Sequence, residues 1–311
     1  MKINPLYHPK YFPTWIALFL MRCLVSLPLP IWQKIGVGIG LVLNKFAKSR
    51  RGVAEVNVDL AFPDLSPQDK DAMVKKIVIN TTLGILEAFY SWWASDKDVE
   101  RRSTVKNLDI LEDALKDDRG VLLVGAHFST LDLSGRVMGV RKKVDITYRA
   151  QDKNPVFNHV MNTCRQQHFK HLIEKREMRK MVRNLKKGEV VWYAPDQDFG
   201  RKGSVFAPFF GVDTATITTI GKLVKVTGAK VLFFSHFRYG TGKDTHYVGT
   251  VLDPFNDGFN DDDVNNATLL NKALEDVLRQ EDPTQYFWVH KRFKTRPDPS
   301  DPSPYKKKTS K

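Results

Sequence analysis

Apolar and polar positions follow two rhythms along this chain. From about residue 120 to 290, short β-branched runs alternate with longer stretches in which apolar residues recur every three or four positions. Val121–Gly125, Val144–Tyr148, Glu189–Tyr193, Lys230–Ser235 and Tyr247–Val251 have the length and content of buried strands, and Gln285–Val289 is a further candidate. Between them the spacing predicts helices near 130–139, 155–170, 174–187, 215–227 and 264–280. This alternation predicts an α/β domain whose sheet is covered on both faces. Upstream, Ser66-Pro67-Gln68-Asp69 combines a cap, a proline at the first helical position and a closing acidic residue. The helix it starts runs toward Trp92-Trp93.

The first fifty residues are patterned differently. Residues 13–31 form the most apolar stretch, but Arg22 sits near its middle and Pro28 and Pro30 stop it early. A central arginine costs about 2.5–3.5 kcal/mol on insertion scales, so a spanning helix here is marginal. No small-residue cleavage site follows, which argues against a removed signal peptide. In Ile35–Ala47 the glycines 36, 38 and 40 resemble a dinucleotide loop, but no strand precedes them. Small residues at that spacing let two helices pack closely. Lys45, Lys48, Arg50 and Arg51 follow as a basic flank. The expectation is a membrane-anchoring helical segment over residues 1–50, spanning or half-embedded, against the alternative of a soluble core helix. Residues 51–296 form the main domain, and 297–311, rich in Pro, Asp, Ser and Lys, a flexible basic tail.

Composition narrows the chemistry. A chain of 311 residues, 42% hydrophobic, can bury a large core. Two cysteines, Cys23 and Cys164, make no disulfide framework, which points to a reducing compartment. No His-x3-His or Cys-x2-Cys spacing occurs, so no metal is expected. The net charge of +14 implies an acidic partner: phosphate groups, an anionic membrane surface or an acidic protein. No nucleic-acid-binding signature is present. Much of the charge lies in one amphipathic segment, Glu174–Lys187. There Met178, Met181, Val182 and Leu185 make an apolar stripe, while Lys175, Arg176, Arg179, Lys180, Arg183, Lys186 and Lys187 occupy the rest.

The stretch with most chemical content is Val121–Gly135. A strand-like run ends at Gly125, His127 follows in the turn, and Ser129 with Asp132 reads as a capping box opening a helix. On one continuous helix His127 and Asp132 would stand ~140° apart. They meet only if His127 lies on the turn and Asp132 reaches back to it. A carboxylate on one imidazole nitrogen leaves the other free to take a proton from a hydroxyl, making a general base. The residues alone leave open that Asp132 merely caps the helix. Arg149, Asp196 and Asp198 follow other strands and so fall where an open parallel sheet gathers its ligand. Each could equally form a structural ion pair. Phe206, Phe209 and Phe210 fit a core better than an acyl slot.

His127-x4-Asp132 has the form of the HX4D/E motif of acyltransferases. The blocks around it resemble the late acyltransferases of lipid A biosynthesis: Gly125–Arg136, Tyr148-Arg149, Asn154-Pro155, Val191–Gly200 and Ser204–Phe210. So do His8–Trp15, Asn57–Pro63 and Arg292–Pro297 at the two ends. The resemblance implies a mostly parallel central sheet flanked by helices, of the glycerol-3-phosphate acyltransferase type. It implies transfer of a fatty acyl chain from acyl carrier protein to a hydroxyl of Kdo-lipid IVA at the bacterial inner membrane, with the site facing the cytoplasm. His127 would be the base, Asp132 its orienting acid, and Arg165 and Asp196 further site residues, with no cofactor beyond the carrier-borne thioester. Lys175, Arg176, Arg179, Lys180 and Arg183 would face acyl carrier protein or phospholipid headgroups. The chain departs from the pattern at Asp132, where many relatives carry Glu, at Lys153, which reads as an insertion, and at Cys164, which replaces a glycine. The alternatives are a glycerophospholipid or glycolipid acyltransferase of the same superfamily, and a non-catalytic membrane-associated binding protein.

Overall fold

Every one of the four residues of the Val121–Val124 run is buried, which is what a strand at the centre of a doubly covered sheet requires. A computed structural model describes residues 5–305 except 118 and 257. Its helices begin with α1 (Phe12–Val25), α2 (Leu29–Phe46), α3 (Lys48–Ala61), α4 (Pro67–Trp93) and α5 (Asp96–Arg101). Then follow β1 (Ser103–Lys106), α6 (Leu108–Ala114), β2 (Val121–Val124), α7 (Leu131–Gly139), β3 (Asp145–Tyr148), α8 (Pro155–Gln166), β4 (Leu172–Glu174), α9 (Met178–Leu185) and β5 (Val190–Tyr193). The chain closes with β6 (Ser204–Phe209), β7 (Val212–Ile217), α10 (Thr219–Thr227), β8 (Lys230–Tyr239), β9 (His246–Leu252) and α11 (Asp263–Gln280).

Among the described residues seven strands form one sheet in the order β1-β9-β8-β2-β5-β3-β4. The five strands from β8 to β4 run parallel; β9 is antiparallel to β8, and β1 runs with β9. The alternation along β2 divides the core. Leu122 and Val124 join a cluster with Ile77, Leu223 and Leu274, and Val121 and Leu123 join one with Leu111 and Met138 on the other face. The α/β architecture with a mostly parallel sheet is therefore as the pattern predicts.

Three expected elements differ, and one edge strand was not expected. Gln285–Val289 is not a strand; a short 3-10 turn at Pro283–Gln285 leads into an irregular run with one bridge, Phe128 to Tyr286. Its alternating apolar residues bury Tyr286 and Trp288, while its backbone pairs with a turn rather than a strand. Residues 212–217 belong to an antiparallel hairpin, so α10 starts only at Thr219. That hairpin turns on Phe210 (φ 50°) and Gly211 (φ 74°), both left-handed as a two-residue hairpin loop demands. Within 174–187 the helix occupies only 178–185, because Leu172–Glu174 pairs as the edge strand β4. Residues 103–106, unassigned by the pattern, form the opposite edge.

The N-terminal segment packs onto the body rather than standing apart. Trp32 of α2 is fully buried, and a Cβ on Gly36 or Gly40 would come within 2.9 Å of α4 side chain or backbone. Those two glycines thus provide the close helix approach that their spacing suggests. Gly36 and Gly40 face inward with Leu29, Trp32 and Gln33, whereas Gly38, Ile35, Ile39, Val42 and Phe46 face out. Among the described residues no helix is long and apolar enough to cross a membrane, so the spanning form of the anchor is not supported. With 14 residues α1 reaches roughly 21 Å, short of a hydrocarbon core of about 30 Å. The tail expected to be flexible is docked as far as Tyr305, whose hydroxyl accepts from Phe293 N at 2.9 Å and donates to Asn57 Oδ1 at 2.5 Å; residues 306–311 lie outside the described residues.

Candidate active site

β2 and β5 are neighbours in level register, Val124 opposite Tyr193. Each chain leaves the sheet at its carboxyl end, and three residues further on stand His127 and Asp196. Equal exits from paired strands bring the two together. Asp196 Oδ1 accepts from His127 Nδ1 at 2.7 Å, and Oδ2 accepts from the His127 backbone N–H at 3.0 Å. A carboxylate can only accept, so Nδ1 carries the proton and Nε2 is left as the acceptor. The aspartate side chain is 4% exposed and the imidazole 27%, so the carboxylate is sealed while the base stays reachable.

Burial opposes protonation of His127, but the Asp196 charge and its hydrogen bond outweigh burial and raise the pKa above the ordinary imidazole value. Burial also works against the Asp196 carboxylate, yet the His127 charge and the two hydrogen bonds hold it down at about 2. Nearby His236, buried and next to the His127 charge, is pushed down to about 3 and stays neutral.

The orienting acid is therefore not the one that the five-residue spacing suggests. Asp132 Oδ1 accepts from Arg165 Nε at 3.0 Å and from Arg165 Nη2. Asp132 sits at the second position of α7 and Arg165 in the last turn of α8, and the pair is largely buried, at 21% and 15% exposure. Nor does Ser129 open a capping box. The helix cap is Thr130, which makes no side-chain cap bond because its hydroxyl meets His236 Nδ1 at 2.7 Å. Ser129 Oγ is buried without a partner among the described residues. Leu131 N donates to Phe128 O at 3.1 Å, and with no side-chain cap the rest of the first turn of α7 leaves the positive end of the helix close to His127.

The remaining expected residues divide. Asp198 is buried but engaged elsewhere: it accepts from Thr295 N at 2.7 Å, Thr295 Oγ1 at 2.8 Å and Gly200 N at 2.8 Å, fastening the loop after β5 to the C-terminal segment. Arg149 is exposed beyond the end of β3. Lys175, Arg176, Arg179 and Arg183 are exposed, with Arg176 bound to Asp152 at 2.6 Å, while Lys180 turns back to the Leu172 carbonyl at 2.9 Å. Phe209 and Phe210 are core residues, 0% and 6% exposed.

The pattern does not reveal the strap across the site. Ser129 N donates to Gln285 O at 2.6 Å and Phe287 N donates to His127 O at 2.9 Å, so residues 285–287 hold the His127 turn from outside. From behind, α4 presses on the same turn, where a Cβ on Gly84 would stand 2.2 Å from Ser129 O.

An accessible imidazole with its far nitrogen fixed by a sealed carboxylate is equipped to take a proton from an alcohol, the opening step of group transfer to a hydroxyl. The profile of the bacterial lipid A biosynthesis acyltransferases matches residues 2–295. The chain is 35% identical to a lipid A biosynthesis lauroyltransferase of Escherichia coli (strain K12), over 94% of this chain and 95% of that protein. It is 36% identical to the palmitoleoyltransferase of the same organism, over 93% and 94%, and 26% identical to its myristoyltransferase, over 97% and 92%. The protein belongs to the bacterial lipid A biosynthesis acyltransferases.

Proposed function

We propose that the protein transfers a fatty acyl chain from acyl carrier protein to a hydroxyl of a lipid A precursor, Kdo-lipid IVA. The observation that carries the reading is the His127–Asp196 pair, standing inside a family whose members are named as lipid A acyltransferases. His127 Nε2 takes the hydroxyl proton as the oxygen attacks the thioester carbonyl. The tetrahedral oxyanion then collapses, the carbon–sulfur bond breaks, and the thiolate recovers the proton from the imidazolium. The positive N-terminal end of α7 and the guanidinium of Arg165, fixed by Asp132, are the groups suited to meet the oxyanion. No covalent acyl-enzyme is needed.

The acceptor is a membrane lipid, and α2 is built for its surroundings. A helix that buries Leu29, Trp32, Gly36 and Gly40 yet also turns Ile35, Ile39, Val42 and Phe46 outward suits embedding of its outer face in one leaflet. Lys45, Lys48 and Arg50 at its end suit the headgroups of the cytoplasmic face of the inner membrane, whereas Arg51 is paired with Glu55 and Asp71. α1 packs against α8, the helix of Arg165, through Leu18, Val156 and Met161. On the far side Arg149, Lys175 and Arg176 lie beyond the carboxyl ends of β3 and β4, along the edge that carries His127, where an acidic carrier protein would dock.

The test is reconstitution of the full chain in vesicles with acyl carrier protein thioester and Kdo-lipid IVA, followed by mass spectrometry of the lipid. A gain of one acyl chain, absent with His127→Ala, is expected. No mass step, or one that survives His127→Ala, overturns the reading.

A further inference from the structure

The ladder between β8 and β2 runs from Lys230 to Phe233, opposite Val121 to Val124; β2 then turns off toward His127 while β8 goes on to Tyr239. Backbone groups of β8 beyond that point that face away from β9 need another partner, since a buried N–H or C=O without one is costly. Arg238, buried and opposite Tyr247 of β9, carries such groups. Its N–H donates to Gln285 Oε1 at 2.9 Å, and its carbonyl accepts from Gln285 Nε2 at 2.9 Å. A carboxamide offers a donor and an acceptor side by side, as a peptide group does, so one side chain stands in for the missing strand. Gln285 is itself buried, and its main chain faces the site. Its carbonyl accepts from Ser129 N at 2.6 Å, and two residues on, Phe287 N donates to His127 O at 2.9 Å. The backbone of His127 is thus held on both sides, at its N–H by Asp196 Oδ2 and at its carbonyl by the strap.

We propose that Gln285 is a positioning residue for the transfer: its side-chain amide fixes the strap to β8, and the strap sets the height of the His127 turn against Asp196. The anchor is firm without it. The Arg238 guanidinium donates to Glu87 Oε1 at 2.6 Å and to Asn80 Oδ1, both on α4, and Glu87 Oε1 also accepts from Tyr247 OH at 3.0 Å. The strap has further fastenings of its own. Tyr286 and Trp288 are buried in the core, and Asn80 Nδ2 donates to Thr284 Oγ1 at 2.8 Å. Gln285 differs from these in gripping the sheet with its side chain and the catalytic turn with its main chain. Removing the amide therefore leaves anchor and strap folded but uncouples one from the other. Asp196 is carried by the loop after β5, so a turn that shifts moves the imidazole relative to its carboxylate.

The inference deepens the acyl-transfer reading and rests on it for one of its two tests. Gln285→Met keeps the length and bulk of the side chain and removes both hydrogen bonds to β8. Leu111→Ala, in the core on the other face of the sheet, is the control for plain loss of stability. Displacing a reacting group by about 1 Å costs on the order of 10²-fold, so kcat per folded molecule of the full chain in vesicles should fall about ten- to a hundredfold in Gln285→Met, with KM little changed. In Leu111→Ala it should hold. Equal kcat in the two variants, corrected for folded fraction, overturns the proposal. The second test needs no turnover. The Nδ1 proton of His127, hydrogen-bonded to Asp196 at 2.7 Å, is followed by its downfield proton NMR resonance. That resonance should shift or broaden in Gln285→Met and stay in place in Leu111→Ala; an unmoved resonance in Gln285→Met overturns the proposal. If Gln285→Met does not fold, Gln285→Asn, whose amide stops one carbon short of β8, is read in the same two ways. Should the wild-type protein transfer no acyl chain, the functional reading fails and the resonance still decides the role of Gln285.

Discussion

His127 and Asp196 lie 69 residues apart and share two hydrogen bonds, so removing either has a separable consequence. His127→Ala should lower turnover by about 10²–10⁴-fold with little change in melting temperature; turnover near wild type would remove the base from the mechanism. Asp196→Asn strips away the charge that raises the imidazole pKa and leaves burial, which lowers it. The acidic limb of the rate profile should then move to lower pH, and the maximal rate should fall by orders of magnitude as the wrong tautomer is favoured. Asp132→Asn should leave that limb in place, because its partner is Arg165, and should instead weaken the grip on Arg165. Profiles of the two variants measured side by side distinguish the carboxylates. The base was legible in the sequence as a histidine in a strand-to-helix turn. Its partner was not: Asp132 offered a plausible local spacing, and the level register of β2 with β5, which delivers Asp196, cannot be read from either strand separately.

At the scale of elements, the outer face of α2 makes the plainest claim. Val42→Glu on α2 and Leu20→Glu on the preceding α1 replace side chains that are 57% and 55% exposed, so the fold should not notice them. Burying an apolar side chain of this size in lipid is worth roughly 1.5–3 kcal/mol, hence about tenfold or more in vesicle binding for each. Flotation that leaves the double variant on the vesicles at unchanged melting temperature would contradict the embedding of this face. The contact of α4 with the site is tested by Gly84→Val. Its Cβ would meet the Ser129 backbone oxygen at 2.2 Å, and a backbone atom cannot step aside as a side chain tip can. We expect about 1–3 kcal/mol of lost stability and a disproportionate loss of turnover; full turnover would mean that the turn tolerates displacement. Strands with buried β-branched runs were legible, as were the long helix from Ser66 and the close packing at Gly36 and Gly40. The β6–β7 hairpin was not, because Phe210 takes a left-handed turn position usually filled by Asn, Asp or Gly. β4 was hidden because three residues give an alternating pattern too little length.

For the whole molecule, the buried pair ties stability to pH in a definite direction. The raised His127 pKa contributes stability below the ordinary value of 6.5 and loses it as pH rises through the raised folded value. The depressed Asp196 pKa contributes above 3.8 and loses it as pH falls toward 2. The melting-temperature gap between wild type and Asp196→Asn should therefore be widest between those two ordinary values and shrink on both sides. A gap that kept growing above neutrality would mean that the pair is not an ion pair in the folded protein.

The strap over the His127 turn also orders events in time. α1 and α2 are synthesised long before Gln285, Phe287 and Thr295, which brace the turn and the loop after β5. Contacts this far apart in sequence form late in folding. The N-terminal helices therefore precede, in synthesis as in sequence, the contacts that complete the base. Catalytic competence would follow only once the strap has closed over the His127 turn.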